Sequence, residues 1–590
     1  MTKEPLGNHL SDTRQSMRLL WGPLPTYAKL RGPHEIVEFG RRGVSYKDGE
    51  TWDDLFARLP SGFEPDAVVW RFADTNAWPA HTPCPKPLIA ILSDWSLFYT
   101  ALRGILDACD WIITDRLGTD RLKAIGITHV QYWPGYAFDP GLCKRLIDIP
   151  PDYDVTFIGN LNHDIHRIRA RILAKIARLS DRYRVAIRTN IHGRDYANFL
   201  ARSRIVVNHS VRREMNLRGY EAPACGALLF MEESNLEVSD FLRPGEECVL
   251  YREDNLEDLL VSCLENEPLR ARMAEAGWTR IQAETFRSHM AALLDLLKNL
   301  DLPGLCRRPK RWPALDEAER HYRYGKWLAF AGTQVVLGHQ ELTRAIQLDA
   351  SNPEYWNAAA VVEAVTASKA ANQDEQVRLF TSLAENRWLH LLKHWPGYVL
   401  GWVNLGLARL EFGFRERGVE ALTKALEWLA GDSEGLILRE GCLFYVESDP
   451  RNPTDFSMTR VEWERLAASC GADEARLAQE LRAFLRWQCA RRLGDVRLAS
   501  DEPQKAKDCY AQAIHARPDL EHAYTGLGKC LELLGQNALA CAAYRESLER
   551  QPWNFDVRVW LAGLLNQIGD SRGADQLASE SLLLAKALGE

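Results

Sequence analysis

Residues 203–253 read SRIVVNHSVRREMNLRGYEAPACGALLFMEESNLEVSDFLRPGEECVLYRE, and the fold is decided here. The run Ile205–Val207 is a short β-branched strand that continues into Asn208, His209 and Ser210, whose end should face a cleft. A loop holding Arg212, Arg213 and Arg218 follows. Glu221 is then expected to open a short helix, EAPACG, which Gly226 ends before the strand at 227–230. A helix N-terminus beside cationic side chains suits a diphosphate, because backbone N–H groups, the helix dipole and guanidinium pairing all favour the anion. A carboxylate nearby can accept hydrogen bonds from ribose hydroxyls. The same residues also fit a surface Arg–Glu ion pair, with Gly226 as a plain helix cap.

Outward from this stretch, strand-like runs alternate with helical ones. Glu35–Phe39, Ala67–Phe72, Leu88–Leu92 and Trp111–Thr114 are apolar strand candidates, with segments such as WDDLFARL and FYTALRGILDA between them. After the turn-rich stretch Trp133–Pro151 the pattern restarts with Val155–Ile158, Val185–Ile187, Ala227–Phe230 and Cys248–Tyr251. Such alternation implies two parallel sheets covered on both faces, that is, two Rossmann-like lobes over residues 1–150 and 151–300. One helix around Glu267–Asn299 is expected to close the second lobe, and the Pro-, Arg- and Lys-rich stretch 301–318 reads as a linker.

Beyond it the chain repeats itself. Leu527, Gly528, Leu531 and Ala540 return as Leu561, Ala562, Leu565 and Ala574, and Leu493, Gly494 and Ala506 precede them at the same interval. Pro518 and Pro552 close successive units. An earlier unit runs through Trp402, Leu405, Gly406, Gly413 and Ala425. A period of about 34 residues with small residues at the helix crossing is that of the tetratricopeptide repeat. Residues 319–590 are therefore expected to form an all-α superhelix, with Tyr322 and Trp356 at the aromatic position of two degenerate units and an irregular insertion near 433–480.

With 590 residues the chain is long enough for several domains. Its net charge of -7 supplies no overall attraction to nucleic acid or anionic lipid. No stretch approaches the ~20 apolar residues of a membrane span, the opening residues lack a secretory signal, and 13 cysteines without a C-x-x-C pair suit a reducing compartment. A cytoplasmic location is expected. The chain contains no P-loop, no G-x-S-x-G elbow and no G-x-G-x-x-G fingerprint.

NLRGYEAPACGALL, then FLRPGEECVLYREDNLEDLL and MAEAGWTRI, together with PDYDVTFIGN at 151–160, resemble the spore-maturation (CgeB-like) glycosyltransferases over roughly residues 60–300. The resemblance implies a glycosyltransferase-B fold, with an acceptor lobe followed by a nucleotide-sugar lobe, and a UDP-sugar or similar donor with no bound metal. It implies Arg218 at the donor diphosphate, Glu221 at the ribose, and Gly159 and Asn160 lining the phosphates. Retaining relatives often carry a spaced pair of glutamates. The second aligns with Glu221, but the first would fall at Arg213, with Glu214 one place off.

His163, His166 and Asn208 join the donor-site candidates by position. Asp94 and Asp115, at strand ends of the first lobe, can orient an acceptor hydroxyl or act as a general base; each also fits a helix N-cap. Asp94 and Arg218 are the expected catalytic pair. The fusion is similar in kind to O-GlcNAc transferase, though there the repeats come first. It points to transfer onto Ser or Thr hydroxyls of a protein docked by the repeats, flagellin or another bacterial surface protein by analogy. The alternatives are a glycan-building enzyme recruited through its repeats, or an inactive scaffold.

Overall fold

The computed structural model describes residues 16–22, 34–40, 43–47, 49–72, 82–147, 149–330, 334–431, 442–445, 457–469 and 473–589. Two parallel sheets form the first half. The first contains β1 (Arg18–Gly22), β2 (Glu35–Gly40), β3 (Val44–Ser45), β4 (Ala67–Arg71), β5 (Leu88–Ile91), β6 (Trp111–Thr114) and β7 (Val130–Tyr132), in the order β3-β2-β1-β4-β5-β6-β7. The second contains β8 (Tyr153–Ile158), β9 (Val185–Arg188), β10 (Ser203–Val207), β11 (Leu228–Glu232) and β12 (Val249–Tyr251), in the order β12-β11-β10-β8-β9. Every pairing is parallel, so helices must cover both faces and the central strands are buried throughout. Each apolar run expected as a strand is one. The short runs RLLWG, VS and VQY add β1, β3 and β7, and β1 lies inside its sheet between β2 and β4.

The expected single helix over 267–299 is two. Glu267–Ile281 ends on the second lobe, and Thr285 and Ser288 form a capping box that starts Phe286–Lys298 in a new direction. This second helix crosses to the first lobe, where Met290, Leu293, Leu294 and Leu297 pack with Leu19, Trp21, Ile89 and Ile113. The two lobes are thus tied by the chain near 150 and again near 285, where Phe138 and Phe286 exchange backbone hydrogen bonds with Glu284 and Phe138. The expected linker carries two short helices, Leu302–Arg307 and Arg311–Ala314, and Trp312 is buried in the first lobe's core. A buried tryptophan draws this segment onto the lobe in spite of its prolines.

The rest is helical. Antiparallel pairs cover Glu317–Phe330 with Val335–Leu348, Val399–Glu411 with Arg415–Ala430, Glu474–Leu498 with Pro503–Ala516, His522–Leu533 with Asn537–Arg550, and Phe555–Gln567 with Ser571–Leu588. Backbone with φ near +60 to +86° turns four of these pairs, at Gly413, Asp501, Gly535 and Gly569. The helix crossings are tight: a Cβ on Gly526 would lie 2.3 Å from the Tyr510 ring, and one on Gly528 2.4 Å from Tyr544. Of the expected irregular insertion near 433–480, residues 433–441, 446–456 and 470–472 lie outside the described residues; the rest includes the helix Met458–Ser469 and the start of Glu474–Leu498.

The helical array touches both lobes. Tyr324, Trp327 and Leu328 join the core of the first lobe with Ala467 and Ala468. Arg323 pairs with Asp107 at 2.6 Å, and Glu464 accepts from Thr100 N–H at 2.8 Å. At the far end Leu584 and Ala587 enter the core of the second lobe, beside Val155, Phe157 and Ile187. Arg188 donates to the Ala587 carbonyl at 2.6 Å and Trp553 to the Ala170 carbonyl at 2.8 Å. Among the described residues no helix is long and apolar enough to cross a membrane.

Candidate functional site

The site lies at the carboxyl ends of β8 and β10, as expected for an open parallel sheet. The helix bearing Glu221 starts four residues earlier than expected. It spans Leu217–Ala224, and the Asn216 side chain caps it by accepting from Gly219 N–H. Asn216 competes successfully for the N-cap because its short amide reaches the first free backbone N–H groups. Arg218 therefore sits in the first turn and Glu221 in the middle. Gly226, at φ +90°, ends the segment as expected.

Arg218 donates to Asn208 Oδ1 at 2.6 Å and to the Ile158 carbonyl, and its guanidinium lies 4.2 Å from the Phe157 ring centroid. Its Nε is buried without a partner. Gly159 is fixed by this side chain, since a Cβ there would stand 2.2 Å from an Arg218 terminal nitrogen. The structure thus brings Gly159, Asn208 and Arg218 together. Asn160 adjoins them through its carbonyl, which accepts from Arg169 at 3.0 Å.

Arg169 and His209 were missed by the sequence reading. Arg169 donates to the His209 carbonyl at 2.6 Å and its guanidinium stands 5.4 Å from the Phe157 ring, so two guanidinium groups share one aromatic ring. Burial, then the like charge of Arg218, pulls Arg169 down to about 9. Burial and the neighbouring arginines hold His166 down to about 2, and burial with Arg169 holds His209 down to about 4. Both imidazoles are neutral around pH 7. Among the described residues neither Arg169 nor Arg218 forms an ion pair with a carboxylate. A signal for Arg169 existed: it shares a helix face with buried Leu173 and Ile176. An arginine in register with such a face is a charge placed where burial is costly.

Glu221 is not at a helix start. Its carboxyl meets the Tyr196 hydroxyl, and burial raises its pKa. His163 does not reach the arginine cluster: its Nε2 lies 3.1 Å from Glu521 Oε1 of the helical array, on a side chain only 9% exposed. That corrects its expected place at the phosphates. The physical reason is a buried acid on the other side of the loop, which captures the ring.

Across the cleft, Asp94 follows β5 in left-handed backbone at φ 49° with its side chain half exposed. It caps no helix. Its Oδ1 pairs at 2.5 Å with Arg212 of the second lobe, whose Nε also donates to Asp115 Oδ2 at 2.8 Å. Asp115 caps the helix Arg116–Ala124 through Gly118 N–H at 2.7 Å. Glu214, one place from the family position, turns inward: it accepts from Arg212 N–H at 2.7 Å and is buried. Arg213 occupies that position, exposed, at φ 62°. Glu237 adds a second bridge between the lobes by accepting from the backbone N–H groups of Arg116 and Met215, each at 2.9 Å. No group of three His, Cys, Asp or Glu side chains among the described residues is placed to hold a metal ion.

Residues 143–295 match the Glycosyl transferase-like family, and residues 521–552 match the Tetratricopeptide repeat. No curated protein matches the chain. Similar solved structures include a glycosyltransferase from Rickettsia africae (13% identical, covering 50% of this chain and 100% of that one, TM-score 0.34). A sucrose-phosphate synthase from Thermosynechococcus elongatus is 10% identical and covers 48% of this chain and 98% of that one, with a TM-score of 0.33. A tetratricopeptide protein of Thermus thermophilus is 20% identical and covers 42% and 98%, with a TM-score of 0.23. These scores lie low enough that the fold rests on the sheet topology itself. The chain thus joins two parallel Rossmann-like lobes, the second matching the Glycosyl transferase-like family over 143–295, to a helical half in which 521–552 match the Tetratricopeptide repeat.

Proposed function

We propose that the chain transfers a sugar from a nucleotide-sugar, a UDP-sugar first among them, to Ser or Thr hydroxyls of a protein docked by its helical repeats. The donor half of this reading rests on one observation: the buried Arg169 and the half-buried Arg218 share the Phe157 ring at the strand ends, with no carboxylate bound to either among the described residues. Buried positive charge without a counter-ion is costly, and a diphosphate relieves that cost. When the bond from sugar to diphosphate breaks, negative charge grows on the leaving group, and guanidinium donors already aimed at it stabilise that charge without reorganising. Gly159 and Asn160 line the same phosphates, Asn208 holds Arg218 in place, and Glu221 with Tyr196 lies on the side where a ribose would reach.

Asp94 is the acceptor-side residue. Its pairing with Arg212 holds it at the cleft, where it can orient an acceptor hydroxyl or take its proton. Substrate entry then requires the Asp94–Arg212 bridge to exchange partners as the lobes close on the donor. The acceptor is a protein, with flagellin or another bacterial surface protein as the first to try, because tetratricopeptide arrays bind extended peptides and protein surfaces. The reaction takes place in the cytoplasm and needs no bound metal.

Thermal melts against UDP-, GDP-, dTDP- and CMP-sugars, with wild type and Arg218→Ala side by side, test the donor site. Stabilisation by one nucleotide class that disappears in Arg218→Ala is the expected outcome. No shift from any of them in a folded wild type would sink the transferase reading in favour of a scaffold. Incubation of the responding donor with a candidate protein, read as a mass increase of one sugar, then separates protein from glycan acceptors.

A further inference from the structure

The loop that follows β8 carries the expected phosphate-lining residues at one end and leads into the helix of Arg169 at the other. Within itself it is held by two side-chain turns, Asn162 N–H on Asn160 Oδ1 at 2.8 Å and Asp164 N–H on Asn162 Oδ1 at 2.9 Å. Three of its side chains turn to the helical array. His163 meets Glu521 at 3.1 Å, at the start of the repeat helix His522–Leu533. Asp164 accepts from the backbone N–H of Met458, the first residue of the helix Met458–Ser469. Arg167 pairs with Glu462 of that same helix at 2.6 Å. Glu462 also binds Arg465 at 2.7 Å and Arg517 at 2.5 Å, and Arg517 holds Asp519 at 2.6 Å. Glu521 also faces His522 at 3.2 Å. Glu462 and Glu521 are almost wholly buried, and each is shared among several cations or imidazoles.

Networks of this kind give little net stability but set geometry, because each partner left alone would be a buried unpaired charge. The loop they grip is continuous with Gly159, whose fit against Arg218 leaves no room for a Cβ, and with Arg169. A shift of the loop by a fraction of an ångström therefore changes the arginine cluster directly.

We propose that Glu462 and Glu521 of the helical half are positioning residues for the donor site: the repeat array clamps the loop from Gly159 to Arg167 and so sets donor affinity from outside the transferase lobes. The proposal rests on the donor-site reading above. It makes the array more than a platform for the acceptor, because a partner seated on the helices bearing Glu462 and Glu521 acts on the donor loop through them.

The test uses the full chain and the nucleotide that stabilises wild type in the thermal melts. Calorimetric titration of Glu521→Gln and Glu462→Gln is paired with hydrogen exchange of the 159–167 segment without ligand. The control is Glu580→Gln, which breaks the array's pair with Arg178, at the far end of the helix Arg167–Arg178 from the loop, and a pair with Arg558 inside the array. Expected are a dissociation constant weakened about tenfold and faster exchange of 159–167 in the two test variants, partial rescue by Glu521→Asp, and wild-type values in Glu580→Gln. Wild-type affinity and exchange in Glu521→Gln and Glu462→Gln overturn the clamp, and so does equal weakening in Glu580→Gln. Should Glu521→Gln not fold, His163→Gln carries the same test from the loop side. If wild type binds no nucleotide, the donor-site reading falls, and the exchange of 159–167 alone then decides whether the array holds the loop.

Discussion

Arg218 and Arg169 share the Phe157 ring at the proposed donor site, and Gly159 is the residue that depends most closely on Arg218. Its backbone is in an ordinary conformation, so the requirement for glycine is one of space and not of strain. A methyl group there would collide with the far end of the Arg218 side chain, at 2.2 Å, and only at 3.3 Å with Phe157. A guanidinium can swing away, so Gly159→Ala is expected to fold with nearly unchanged melting temperature. The swing takes the hydrogen bond to the Ile158 carbonyl with it. Nucleotide affinity should then fall on the order of tenfold or more, the worth of one charge-assisted hydrogen bond. Calorimetric titration measures this; unchanged affinity would mean that Arg218 does not meet the nucleotide.

Among the elements, the repeat helices show how small residues set a crossing. Gly526 and Gly528 lie on one helix, and each faces a tyrosine ring, Tyr510 and Tyr544. Tyr544 is not free to move aside, since its hydroxyl donates to Glu532 at 3.0 Å. Gly528→Leu is therefore expected to overpack the crossing at a cost of about 1–3 kcal/mol. The effect would appear as an earlier helical transition in urea by far-ultraviolet circular dichroism, and an unmoved midpoint would show that the crossing absorbs the side chain. The helix Arg167–Arg178 combines two duties in another way. Ile172, Leu173 and Ile176 pack beneath the sheet, while its first turns carry Arg167 to the array and Arg169 to the site. The first turns of this helix thus join the array to the arginine cluster.

At the scale of the whole molecule, the helical half shares hydrophobic cores with both α/β lobes. The array begins in the core of the first lobe with Trp327 and Leu328 and ends in the core of the second with Leu584 and Ala587. Closure of the cleft must bend the array or break one of these seats. Leu584→Ala removes a buried side chain at the far seat, and large-to-small core changes cost about 2–5 kcal/mol. The loss is expected in the second lobe, read as faster hydrogen exchange of β8 and β9. If exchange rises only in the last repeat, the seat contributes nothing to the lobe.

Both sheets and the repeat period were legible in the sequence because each records a local rule. Buried parallel strands are unbroken apolar runs such as Leu88–Ile91, and repeat helices need the same small residue at each crossing, as at Gly494 and Gly528. That Arg218, Asn208 and Gly159 gather in one place was legible because they fall at strand ends and at a helix start. What only the tertiary structure decided is where side chains meet over long separations. The crossing of Phe286–Lys298 to the first lobe, the meeting of Arg169 with His209, and the turn of His163 toward Glu521 leave no periodic trace in the chain. Periodicity tells which face of an element is buried, but not which distant charge waits on the other side, and in this protein those distant charges hold the loop beside the arginine cluster.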